Sequence, residues 1–493
     1  MLFSLRLELR KLLYVCPLRA LLNNLEPRLH GYATMLGRSA SLWHGDVADT
    51  VRRRMVRDPP DLLLTTPESL EAIMMSTRVD HAAFFADVRA VVVDELHAFA
   101  GDDRGWHLLF LLGRLERLVD RQLQRIGMSA TIGNPEELLA WMSQGRGGRV
   151  VGPARPPSDG DVTTDYVGSV SNAVSVLSRM FRGERRLVFA DSRSRVEEIA
   201  QGLQAAGVRT FVSHSSLSAE ERRSAEAAFA AEPDCIIVAT STLELGIDVG
   251  DLDRVIQVGA PPTIASFLQR MGRTGRRVGS RRNCLFLATN DEELLTALAV
   301  IALWHDGVVE SVVPPPRPAH IFAQQVMLLV LQEGGISRPD IDAWLGAAAN
   351  EVGRVDRLAI LRHMLETEVL SESEGVIGFG PRGEREFGRR HFGELVAAFT
   401  SPMMLIVHHG AAELGTIQPA SLPVSGDEKP VLLLGGKSWK VTNIDWPRRR
   451  VDVIPVQGGG RSRWLGGGRN LMMWTASPQR HQSAKAWSRG APQ

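Results

Sequence analysis

Lysine is scarce in this 493-residue chain: Lys11, Lys429, Lys437, Lys440 and Lys485 are the only five, and the rest of the positive charge is arginine. The shortage narrows the search for a phosphate-binding lysine of the G-x-x-x-x-G-K-[ST] type, in which glycines turn the loop so that backbone N–H groups meet phosphate. Only Lys437 follows a glycine, in Gly436-Lys437-Ser438, and there the motif fails. Five positions before Gly436 stands Val431, a β-branched residue that resists the required turn. The following WKVTNID alternates like a strand, whereas a phosphate loop opens a helix. The stretch is expected to be a hairpin turn in a β-rich module, which leaves no complete phosphate loop in the 493 residues.

Cysteine is equally sparse. Cys16, Cys235 and Cys284 are too few and too far apart for a disulfide framework, and no C-x-x-C pair offers zinc or iron–sulfur ligation. Any metal is expected on oxygen ligands. No apolar run approaches the roughly 18 residues of a membrane helix, and charges at Arg6, Glu8, Arg10 and Lys11 interrupt the apolar start of the chain. The expectation is a soluble cytoplasmic protein with no membrane partner. A net charge of +1 gives no global basic field, so a nucleic-acid site would have to be a local groove.

What is present is a rhythm of short apolar runs ending in polar residues: LLYV (12–15), DLLLTT (61–66), AVVVDE (90–95) and RIGMSAT (125–131). A second set follows: RRLVFADS (185–192), CIIVATST (235–242), RVIQVG (254–259) and NCLFLATN (283–290). Continuously apolar strands alternating with helices indicate parallel sheets covered on both faces, with ligands gathered at the strand C-terminal ends. The Pro-, Gly- and Asp-rich VGPARPPSDGDVTTD (151–165) reads as the linker between two α/β domains.

Asp94-Glu95-Leu96-His97 ends one of these runs. Adjacent carboxylates at a strand terminus suit Mg²⁺–nucleotide chemistry, one holding the metal through water and the next orienting or deprotonating a water. Gln269-Arg270-Met271-Gly272-Arg273-Thr274-Gly275-Arg276 is the more specific pattern. Arginines three apart on a helix share a face and can neutralise charge in phosphoryl transfer.

Together YVCPLRAL, TTPESL, VVVDELHAF, MSATIGN, LVFADSR, SHSSLS, ATSTLELGIDVG and QRMGRTGR resemble, in order, the motifs of superfamily 2 helicases of the DExH type. The likeness is closest to the bacterial large helicase-related family and extends over nearly the whole chain. It implies an α/β fold of two RecA-like parallel-sheet domains, the first N-terminally truncated (1–150) and the second at 166–305. A winged helix (314–395), a β-rich module (396–478) and a disordered tail (479–493) would follow.

It further implies ATP and Mg²⁺ as cofactors, with Asp94 as metal ligand, Glu95 as catalytic base and His97 coupling the lobes. Gln269, Arg273 and Arg276 would reach the γ-phosphate, Asp248 the ribose, and Ser129 and Thr131 would relay between sites. Nucleic-acid contacts would fall on Pro17, Leu18, Arg19, Thr66, Pro67 and Glu68, and on Ser192, His214, Thr240 and Ser241. The implied partner is nucleic acid, single-stranded or branched DNA before RNA, and the implied activity is 3′-to-5′ translocation in DNA repair.

In the family a strand and phosphate loop precede the position of YVCPLRAL, and only 13 residues do so here. The chain alone is therefore expected to hydrolyse ATP poorly. The alternatives are an ATP-independent nucleic-acid binder and a split enzyme whose partner chain supplies the loop.

In the C-terminal third, IFAQQVMLLVLQEGG (321–335), a helix capped by Ser337, RVDRLAILRHMLETEVL (354–370) and SESEGVIGF (371–379) fit helix-turn-helix plus wing. Trp439, Trp446 and Trp464 are available for packing or base stacking in the β-rich module.

Overall fold

Strands buried on both faces carry unbroken apolar sequence, and the run LLLT of residues 62–65 is wholly buried in the computed structural model. The structure describes residues 11–152, 159–244, 252–275, 279–388, 392–396, 404–418, 422, 431–446 and 448–456. The first lobe is a parallel sheet of β1 (Lys11–Val15), β2 (Ala40–Trp43), β3 (Leu62–Thr65), β4 (Val88–Val93) and β5 (Gln124–Gly127), in the order β2-β3-β1-β4-β5.

The second lobe contains β6 (Asp161–Tyr166), β7 (Arg185–Phe189), β8 (Thr210–Ser213), β9 (Cys235–Ala239), β10 (Arg254–Val258) and β11 (Asn283–Ala288), ordered β6-β11-β10-β7-β9-β8. β6 is a correction: residues 161–165, expected to be linker, pair in parallel with β11, so this lobe begins before 166. As an edge strand facing solvent, β6 carries the polar sequence DVTTDY, and such sequence protects an edge while hiding its strand character.

A winged helix follows, with helices Ala319–Glu333, Arg338–Leu345 and Arg354–Glu366 and a small sheet of β12 (Ile336–Ser337), β13 (Leu370–Ser373) and β14 (Val376–Phe379). The C-terminal module is a five-stranded sheet of β15 (Leu405–His409), β16 (Ala412–Ile417), β17 (Val431–Leu434), β18 (Lys437–Asp445) and β19 (Arg450–Val456). Gly435 and Gly436, at φ +66° and +72°, form the turn between β17 and β18, so Gly436-Lys437-Ser438 lies in a hairpin as its sequence implied. Trp439 is buried and donates its indole N–H to the Leu434 carbonyl at 2.9 Å, whereas Trp446 is half exposed. Trp464 and the expected disordered tail lie outside the described residues.

The accessory domains divide between the lobes. Trp106, Leu109 and Phe110 of the first lobe share a core with Ile321, Phe322 and Val326 of the winged helix. Beneath it lies a buried polar network: Glu71 accepts from Arg114 at 2.6 Å and from His107 at 3.0 Å, and Arg114 also donates to Gln325 at 3.1 Å and to Gln332. Burial opposes the Glu71 charge, but Arg114 and His107 outweigh it and draw the carboxyl down to about 2. The C-terminal module shares its core with the second lobe, where Val196, Ile199, Leu203 and Leu217 meet Leu405, Val407, Leu432 and Val451.

Because the Glu71 carboxyl titrates below its unfolded value, its contribution is complete above about pH 4.5 and is lost as pH falls towards 2. Arg114→Leu, which leaves that carboxylate buried without its main partner, is expected to destabilise the first lobe and winged helix by about 3–5 kcal/mol. A fall in the denaturant midpoint of those segments measures it.

Candidate active site and nucleic-acid interface

β4 lies between β1 and β5 in the first sheet and delivers Asp94 and Glu95 at its C-terminal end. Asp94 donates its backbone N–H to the Val15 carbonyl at 2.9 Å, continuing the ladder one residue beyond the strand. Its Oδ2 accepts from the Tyr14 hydroxyl at 2.8 Å, and its Oδ1 from the Glu95 N–H at 2.9 Å. Glu95 takes the left-handed conformation, φ +50° and ψ +47°, and caps the helix Leu96–Ala100. A non-glycine residue there is uncommon and costs free energy, a feature that clusters at functional sites.

Burial and the neighbouring Asp94 charge push the Glu95 carboxyl up to about 7, against the pull of Arg273. A carboxylate poised there can both lose and accept a proton near neutral pH. Among the described residues no three His, Cys, Asp or Glu side chains converge on one metal position. With Asp94 as its one expected carboxylate the donor set still fits Mg²⁺, which retains waters and takes further ligands from phosphate.

His97 joins three parts of the molecule. Its Nδ1 lies 3.1 Å from Ser129 Oγ in the loop after β5, and its Nε2 lies 2.8 Å from Gln269 Nε2 on the helix Ile264–Met271 of the second lobe. With the Gln269 amide donating, His97 accepts at Nε2 and carries its proton on Nδ1, facing Ser129. Burial lowers the pKa of His97 despite Asp94, which favours this neutral ring. Arg273 is buried and donates to the Glu244 carbonyl. Arg270 serves the lobe itself, pairing with Glu244 and Gln257 beneath the Phe189 ring. Thr131 is half-buried in the loop that carries Ser129, and Asp248 and Arg276 lie outside the described residues.

The expected nucleic-acid residues gather at strand ends. Leu18 is exposed and caps the helix Arg19–Met35, while Arg19 pairs with Asp46 at 2.8 Å. Thr66 caps the helix Pro67–Met74, its hydroxyl accepting from the Ser69 N–H at 3.3 Å. Arg104, which its sequence surroundings did not mark, joins these segments by donating to the Pro17 carbonyl at 3.0 Å and to Glu68 at 2.7 Å. Burial opposes ionisation of Glu68, but Arg104 prevails and lowers its pKa.

In the second lobe Ser192 caps the helix Arg193–Ala205, and Thr240 and Ser241 follow β9. His214 departs from expectation. Its side chain is wholly enclosed, with Nε2 2.8 Å from Glu197, because the hydrogen-bonding capacity that suits phosphate is satisfied internally. Thr66 is likewise buried and committed to its cap, so neither side chain is open to a ligand.

Comparison with known proteins accords with this geometry. Residues 2–138 match the DEAD/DEAH box helicase family model and residues 171–278 the helicase conserved C-terminal domain model. The chain is 30% identical over 526 aligned positions to the Lhr helicase/probable uracil glycosylase of Mycolicibacterium smegmatis, covering 91% of this chain and 34% of that protein. This chain belongs to the Lhr-like superfamily 2 helicases. The ATP-dependent helicase Lhr-Core of Methanothermobacter thermautotrophicus is 26% identical, with 90% of this chain and 56% of that one aligned. The solved structure of Mycobacterium smegmatis helicase Lhr bound to ssDNA and AMP-PNP superposes with a TM-score of 0.67 at 27% identity, covering 82% of this chain and 57% of that one. The chain thus spans between about a third and a little over half of these Lhr-like relatives.

The raised Glu95 carboxyl makes its ionised form a liability to the fold. The unfolded carboxyl ionises near 4.5 and the folded one near 7, so the cost grows between these values and is complete above them. Glu95→Gln is therefore expected to stabilise the first lobe at pH 8 by on the order of 1–3 kcal/mol and to have little effect at pH 4. Thermal unfolding of the variant and parent at both pH values measures the difference.

Proposed function

We propose that this chain is the motor portion of an ATP- and Mg²⁺-dependent helicase or translocase acting 3′ to 5′ on single-stranded or branched DNA in repair. The observation that carries this reading is the hydrogen-bonded chain Ser129–His97–Gln269, which crosses from one lobe to the other beside Glu95. It links the carboxylate expected to meet a nucleotide to the helix that leads into Arg273, so a change at the nucleotide alters the relation of the lobes.

Bound Mg²⁺ would supply charge neutralisation at the phosphates. Asp94, held by Tyr14 and by the Glu95 N–H, is the carboxylate that would hold that ion. Glu95 orients the attacking water and accepts its proton, and Arg273 offsets negative charge from the opposite lobe. Strand contacts go mainly to phosphates, from Arg19, the hydroxyls of Ser192, Thr240 and Ser241, and backbone N–H groups at the helix start after Leu18. Binding is then sequence-tolerant and salt-sensitive.

The 493 residues lack a complete phosphate loop, and we infer that by itself the chain turns over ATP poorly. Among the described residues β5 pairs on one side only, with β4. That open edge supports docking of a strand that carries the loop, from an adjoining segment or a partner chain. Co-purification with a short polypeptide bearing G-x-x-x-x-G-K-[ST] tests the latter.

Phosphate release by the purified chain, assayed with Mg²⁺–ATP and single-stranded DNA, should remain at background. DNA-stimulated turnover that Glu95→Gln abolishes would overturn the inference. Arg104→Ala, which unties the segments at Pro17 and Glu68, should weaken single-strand binding by about tenfold, or ~1.4 kcal/mol. Fluorescence anisotropy with an oligothymidylate measures it, and unchanged affinity would remove Arg104 from the interface.

A further inference from the structure

Each lobe places a buried glutamate five residues beyond a helix cap: Glu71 after Thr66, and Glu197 after Ser192. At about 100° per residue, five residues turn the carboxylate well away from the cap. In the first lobe it enters the network that holds the winged helix. In the second it meets the C-terminal module.

Glu197 is wholly enclosed, and both its oxygens are engaged. Oε1 accepts from the Gly435 N–H at 2.6 Å and from His214 Nε2 at 2.8 Å, and Oε2 accepts from the Gly436 N–H at 2.5 Å. Two successive residues at positive φ turn adjacent N–H groups towards one point, a concavity suited to an anion. The glycine pair that imitates the end of a phosphate loop thus holds an anion, the chain's own carboxylate. A buried carboxylate deprived of donors is costly, so the hairpin cannot leave without penalty.

The same contact reaches the segment 213–218. His214 donates to Glu197 through Nε2 and accepts the Ser216 N–H at Nδ1, 3.3 Å away. Thr416 N–H donates to the Ser216 carbonyl at 2.6 Å, and Ser218 N–H to the Leu414 carbonyl at 3.0 Å. The approach at Gly415 is so close that an added Cβ would lie 1.9 Å from the Ser216 carbonyl oxygen.

We propose that Glu197 is a positioning residue that fixes segment 213–218 and the β17–β18 hairpin in one geometry, so that the C-terminal module moves with the second lobe and aligns that lobe's strand-contacting edge. The strand-contact half of this proposal rests on the nucleic-acid reading above.

The test compares the full chain with Glu197→Gln, whose amide brings an NH₂ against a glycine N–H. Gly436→Ala breaks the contact from the opposite side while leaving Glu197 in place, and serves if the first variant does not fold. Hydrogen exchange at residues 213–218 and 431–441 should accelerate by about tenfold or more, with β7 and the first lobe unchanged. Oligothymidylate affinity of the folded variant should fall by about tenfold, and the slope of log K against log salt should shrink by about one.

Unaltered hairpin exchange in both variants would overturn the lock. A loosened hairpin with unchanged affinity and salt slope would overturn the positioning role, since loss of stability alone does not remove ion release from folded molecules. A parent chain that binds no strand would overturn the nucleic-acid reading and the strand-contact half with it, and exchange would then decide the lock.

Discussion

The register of the parallel strands is the constraint on which both sites depend. Val15 pairs level with Thr65 and with Val93, and Val93 with Gly127, so β1, β3, β4 and β5 end in one row. The next residues, Cys16 to Arg19, Thr66 to Glu68, Asp94 to His97 and Met128 to Thr131, therefore leave the sheet side by side. In the second lobe Phe189 and Ser213 are both level with Ala239, which aligns Ser192, His214 and Thr240 in the same way. A slip of one residue would turn every side chain of the slipped strand to the other face and scatter the row.

This arrangement explains what could be read in advance. Each motif is local, and a parallel sheet brings local motifs together without further information, so DELH, the Gln269 helix and the capped helix starts were legible as neighbours. That helix ends at Met271, however, and Arg273 follows it instead of sharing the helix face its spacing suggested. The winged helix was also legible, because its helix stop, cap and wing are written in adjacent residues. β6 was not, since an exposed edge strand needs polar sequence and resembles a linker. Arg104, Glu71 and Glu197 were not either. Their partners lie far along the chain, and an ordinary charged residue on a helix gives no sign of whether it faces water or a buried counterpart. For His214 the residue type suited phosphate, but only packing decides whether its ring stays accessible.

The two halves manage buried charge differently. Glu71 is held by a cation, a histidine and amides at the winged helix, whereas Glu197 is held by backbone N–H groups and a histidine at the C-terminal module. Both arrangements require a satisfied carboxylate, and neither interface is apolar throughout. Geometry is thereby specified beyond what hydrophobic burial alone would fix, since a shifted interface leaves a charge without donors.

The core shared by the second lobe and the C-terminal module has a consequence for dissecting the chain. Trimming at the end of the winged helix follows a visible change in sequence character, yet it would strip the partners from Val196, Leu203 and Leu217 and open the backbone at Ser216 and Ser218. What remained would be a lobe with a wet apolar flank and an unpaired edge, prone to self-association. In this protein the boundary between folding units runs between the lobes, not where one motif ends and the next begins.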